Sequence, residues 1–127
     1  MTMPSIRELC PGEINDFLVE LVRKELRNIP PDFHCRRKEL CEAFLACNHE
    51  IGNRSQMKEG LRGILQQWKQ RQDQVAGLER LGFRMTKGKT HWKIRIPDAN
   101  YFAALAATPG DRRSGVNSAT NAVSVFF

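Results

Sequence analysis

Apolar residues recur every three or four positions through the first two thirds of this chain, and beyond Gly82 they recur every second position. A helix repeats every 3.6 residues and a strand every two, so the change of period predicts a helical region followed by a small sheet. In PGEINDFLVELVRKELRNI the residues Ile14, Phe17, Leu18, Leu21, Val22, Leu26 and Ile29 keep helical spacing, and Pro11 suits a first turn. One helix over about residues 11 to 28 follows, stopped by Pro30 and Pro31 because the residue before a proline is pushed out of helical geometry. A second helix, about 35 to 48, carries Leu40, Cys41, Phe44 and Leu45 on one side and ends near Asn48 and Gly52. Asn53 opens a third, with Gln56 placed to reach back and with Met57, Leu61, Ile64, Leu65, Trp68, Val75, Leu78 and Leu81 as its apolar series. The series thins across QQWKQRQDQ, so either the helix runs on with a solvated middle or it breaks and a new one begins near residue 70. Gly82 closes the helical region.

The stretch FRMTKGKTHWKIRI, residues 83 to 96, then alternates. Phe83, Met85, Trp92, Ile94 and Ile96 suit a dry face, while Arg84, Thr86, His91, Lys93 and Arg95 suit a wet one. YFAALAAT follows a turn and predicts a third antiparallel strand. Thr108, Pro109 and Asp111 read as the capped start of a last helix whose buried stripe is Val116, Ala119, Val123 and Phe126 or Phe127. Trp68 and Trp92 belong to apolar series and read as core. The fold class expected is α+β. A helical N-terminal region, residues 1–66, holds three amphipathic helices, the third continuing toward 81, and residues 67–127 form a helix-strand-strand-strand-helix module with a three-stranded antiparallel sheet.

With 41% apolar residues in 127, the chain can bury a core of its own. No apolar run is long enough to span a bilayer and the first residues lack a basic-then-apolar leader, so the expectation is a soluble cytoplasmic protein with no membrane partner. Cys35, Cys41 and Cys47 are six apart, which on a helix turns each about 120° from the last, and no cysteine pair has zinc spacing. They read as reduced thiols, with no metal and no cofactor expected. The net charge of +6 is uneven: residues 1–81 hold 13 Lys/Arg against 12 Asp/Glu, and residues 82–127 hold seven against two. Those seven, Arg84, Lys87, Lys89, Lys93, Arg95, Arg112 and Arg113, make the last third a candidate surface for a polyanion. Residues 1–66 contain no phosphate loop, metal box or paired catalytic carboxylates. Their helices are expected to pack on the sheet module or to form a surface for a protein partner or a homodimer.

A helix, then LGFRMTKGKTHWKIRI, a third strand and a closing helix resembles the HicA toxins, small mRNA interferases with a double-stranded-RNA-binding-domain-like fold. In that family a Gly-Ser-His segment opens the second strand and its histidine is catalytic; Gly88, Lys89, Thr90 and His91 stand in that place. The resemblance covers residues 67–127 and implies RNA as partner. A histidine near neutral pKa that moves the 2′-hydroxyl proton, with Lys89, Lys93 or Arg95 steadying the phosphorane, is coherent chemistry for such cleavage. TPGDRRSGVN offers a helix start beside Arg112 and Arg113 that holds either a phosphate or only its own caps, with Asn117 one turn from Arg113. The expected function is RNA or other nucleic-acid binding through the basic sheet face. Its alternatives are a toxin-type ribonuclease using His91, and a non-enzymatic interaction protein of a mobile element.

Overall fold

Gly12 opens the first helix in a left-handed conformation, φ 83°, and the place its missing Cβ would fill is taken by the Ile51 side chain. The helix itself, α1 (Glu13–Arg27), starts two residues after Pro11 and ends before Pro30, as the proline positions require. A computed structural model describes residues 7–89, 91–106 and 112–127, with the backbone alone at 106 and 112–114. It divides into two compact units, Met1–Arg54 and Ser55–Phe127. The sequence reading placed its boundary at 66.

In the first unit α1 packs against α2 (Arg36–Cys47). Cys41 is buried and Phe44 and Leu45 are half-buried, but Leu40, expected in the same stripe, is 55% exposed. Leu40 and Cys41 are successive residues, about 100° apart around a helix, so burying one turns the other outward. The unit's one fully buried carboxylate is Asp16 among the described residues, 2% exposed. Its two oxygens accept the backbone N–H groups of Ile51 and Gly52, both at 2.8 Å, while Asn15 Nδ2 donates to the carbonyl of His49 at 2.9 Å. The first turn of α1 thereby holds the segment after α2 by hydrogen bonds where apolar contacts are few.

The second unit is built on α3 (Asn53–Gln66), whose first two residues still belong to the N-terminal unit, followed by α4 (Gln72–Arg80). The helical region breaks between them, and the break lies in the polar run QQWKQRQDQ. Gln67 and Trp68 close the end of α3 with shorter-range bonds to Ile64 and Leu65. Gln70 adopts a left-handed φ of 58°. Buried Gln74 then ties the turn, accepting N–H from Lys69 (2.8 Å) and donating to the Gln67 carbonyl (2.6 Å). α4 ends on a Schellman arrangement: Gly82, φ 108°, donates to Glu79, and Phe83 donates to Leu78.

Three antiparallel strands follow in the order β1 (Arg84–Lys87), β2 (His91–Arg95), β3 (Ala103–Ala106). β1 pairs Met85 with Ile94, and β3 pairs Leu105 with Trp92 and Ala103 with Ile94. These residues share one face, the dry face expected from the alternation. Trp92 meets Trp68 edge-on at 6.0 Å and its indole N–H donates to Gln70 Oε1 at 3.2 Å. Phe83 packs on Phe126 of α5 (Arg112–Phe126) at 5.3 Å. Leu61, Leu65, Leu78, Ile94 and Leu105 are fully buried, each contributing about 1.5–3 kcal/mol.

α5 buries Ala119 and Phe126 as expected, but not Val116. Gly115, Ser118, Ala119, Ala122 and Phe126 are buried, and Val116 is 43% exposed. The cause is Gly115, where an added Cβ would run into the carbonyl of Gln66, so only the glycine edge of the helix fits against the end of α3. The expected caps at Thr108, Pro109 and Asp111 lie outside the described residues. No helix among the described residues is long and apolar enough to cross a membrane.

Candidate nucleic-acid interface

Pairing puts a cation opposite a cation. Arg84 of β1 lies directly across from Arg95 of β2, and Lys93 lies between Thr86 on one side and Ala104 on the other. Residues paired across an antiparallel sheet share a face, so Arg84, Thr86, His91, Lys93, Arg95 and Ala104 all point away from the apolar core. Like charges in direct opposition destabilise a sheet by roughly 0.2–1 kcal/mol. Among the described residues none of Arg84, Lys87, Lys89, Lys93 and Arg95 forms an ion pair with a carboxylate. The described strand positions of this face carry neither a carboxylate nor a second imidazole.

One aromatic residue joins the cations. Phe102, immediately before β3, is 41% exposed; Lys93 Nζ sits 4.7 Å from its ring centroid and Arg95 Cζ 5.0 Å. The ring supports both side chains, which explains why Lys93 and Arg95 are only half-exposed although they lie on the wet face. Extending the alternation of β3 backward from Ala104 places Phe102 on that face. The signal was present in YFAAL but is masked by Tyr101, Ala103 and Leu105, which make the run read as uniformly apolar.

The other expected residues divide. His91 is exposed on the same face, opposite Ala106, and its carbonyl accepts the Gly88 N–H at 2.8 Å, closing the turn. With Lys93 and Arg95 it forms a row of alternate residues along β2, roughly 7 Å apart. Lys89 is exposed in the turn, whereas Lys87 alternates to the opposite face and lies 5.9 Å over the Trp92 ring. Arg112 and Arg113 begin α5, and their side chains lie outside the described residues, as does Thr90. Asn117 is exposed on α5.

No family model, no curated protein and no solved structure matches this chain. An open face of cations around an aromatic ring attracts phosphates and offers a surface for a base. A general acid and base acting together in phosphodiester cleavage needs a partner for His91, and the described strand positions of the face supply none.

The first unit holds a cleft of about 500 Å³ lined by His34, Cys35, Arg36, Lys38, Glu39 and Glu42. Arg36 there lies 3.7 Å from Glu39, and Lys38 donates to the Pro31 carbonyl at 2.6 Å. Among the described residues no three His, Cys, Asp or Glu side chains come together to hold a metal ion. Cys10, Cys35, Cys41 and Cys47 are free thiols. The cationic sheet face is the stronger candidate.

Proposed function

We propose that this protein binds RNA through the outer face of its three-stranded sheet. The observation that carries the reading is the direct opposition of Arg84 and Arg95 beside Lys93 on a face without a carboxylate at its described strand positions. The opposition of Arg84 and Arg95 works against folding, and a polyanion relieves it. The resemblance of residues 67–127 to the HicA toxins supports RNA over DNA. A second reading, ribonuclease activity of the toxin kind, is favoured by one observation: His91 stands in the same row as Lys93 and Arg95, next to Lys93.

Fluorescence anisotropy with labelled RNA tests the binding. Three phosphate contacts give a slope of about −2 in log affinity against log salt, a loss of roughly 15- to 20-fold between about 50 and 200 mM. Replacing Arg84, Lys93 and Arg95 together by alanine is expected to abolish that slope along with most of the affinity. Binding of the triple variant at parental strength would remove the reading. Incubation of total RNA with the parent and with His91→Ala separates the enzyme from the binder: equal cleavage by both disposes of His91 as a catalyst.

A further inference from the structure

Of the aromatic side chains in the second unit, Trp68, Phe83 and Phe126 are buried, Trp92 packs inward on Trp68, Tyr101 leans on Phe126, and Phe127 is half-buried at the end of α5. Phe102 alone lies on the cationic face among the described residues, with two cations over its ring and 41% of its surface open. Its neighbour on the same strand and face is Ala104, exposed and small, so the surface beside the ring is low.

We infer that Phe102 is a base-stacking platform and that the ligand of this face is single-stranded RNA. The inference rests on the RNA-binding reading and names its substrate class. A duplex keeps its bases stacked on one another and presents only sugar and phosphate, to which an exposed phenyl ring adds nothing. An unpaired base has two free faces, and stacking on an aromatic ring is worth most where cations already hold the flanking phosphates. The row along β2 fits this geometry. Lys93 and Arg95 are two residues apart, roughly 7 Å, a spacing comparable to that between successive phosphates of an extended nucleotide chain. Both lean on the same ring from β2, so a base laid on the open part of Phe102 lies beside both cations. The guanidinium of Arg95 is planar and also stacks on bases. The site reads no particular base, because every base has a π-face and, beside the cations, the described strand positions of this face offer only Thr86 and His91 as hydrogen-bonding side chains.

The test measures affinity for a single-stranded oligoribonucleotide of mixed sequence, for a blunt duplex of the same length, and for the same strand with abasic sugars. The parent is compared with Phe102→Ala, Phe102→Leu and Phe102→Tyr. The parent is expected to prefer the single strand over both other ligands. Phe102→Ala and Phe102→Leu lose roughly tenfold on the single strand and almost nothing on the duplex or abasic strand, with an unchanged salt slope, while Phe102→Tyr keeps parental affinity. Phe102→Leu retains apolar bulk, so its failure isolates the aromatic face from packing. Parental affinity of Phe102→Leu for the single strand, or a parental preference for duplex, overturns the inference while leaving RNA binding in place. A parent that binds none of the three ligands overturns both.

Discussion

Asp16 shows how much of the first unit depends on one buried carboxylate. Burial alone raises its pKa, but the amides of Ile51 and Gly52, the Asn15 side chain and the Arg54 guanidinium outweigh that and hold it below the ordinary carboxylate value. A folded-state pKa below the unfolded one means that the group stabilises the fold at every pH above about 4. The contribution is lost as the pH falls through the depressed folded value. Acid titration followed by circular dichroism is therefore expected to unfold the parent over a range in which Asp16→Asn, already weaker at neutral pH by about 2–3 kcal/mol, changes much less. The cationic residues of the sheet were legible from alternation, since Arg84 and Thr86 in β1 and His91, Lys93 and Arg95 in β2 each keep a period of two. Asp16 and Phe102 were not. A carboxylate near a helix start is ordinarily solvated, and the loop whose amides bury this one is 35 residues away. Phe102 needed the register of β3 before its direction could be assigned.

Among the elements, the boundaries announced by proline and glycine were the readable ones: α1 stops short of Pro30, and α4 stops at Gly82. The break between α3 and α4 stood as one of two alternatives, because a polar run is equally consistent with a solvated helix; the buried side chain of Gln74 and the left-handed Gln70 accompany the break. At the start of α5 the buried position is Gly115 where Val116 was expected, since hydropathy ranks valine above glycine whereas packing against Gln66 admits only the glycine. Gly115→Ala improves helix propensity and places a methyl group against a backbone carbonyl that has no rotamer to yield. We expect the clash to prevail and the variant to lose about 1–3 kcal/mol in urea unfolding, with no change in RNA affinity at temperatures where it remains folded.

The whole molecule comprises two units, a helical one with a hydrogen-bonded loop and an α+β one with a single open sheet face. The order of helices and strands was legible because each element has its own period. The division after Arg54 was not, since a helix crosses it and Asn53–Gln66 reads as one uninterrupted apolar series. If the sheet face is the binding surface, RNA must be felt there first. The most direct measurement is a heteronuclear NMR titration of the labelled full chain with a short single-stranded RNA. The account predicts that amide shifts gather on Arg84, Thr86, His91, Lys93, Arg95, Phe102 and Ala104, with Ile94 and Leu105 moving less and α1 and α2 unmoved. Shifts that gather instead on α1 and α2, or on the exposed side of α5 around Val116 and Asn117, would contradict it.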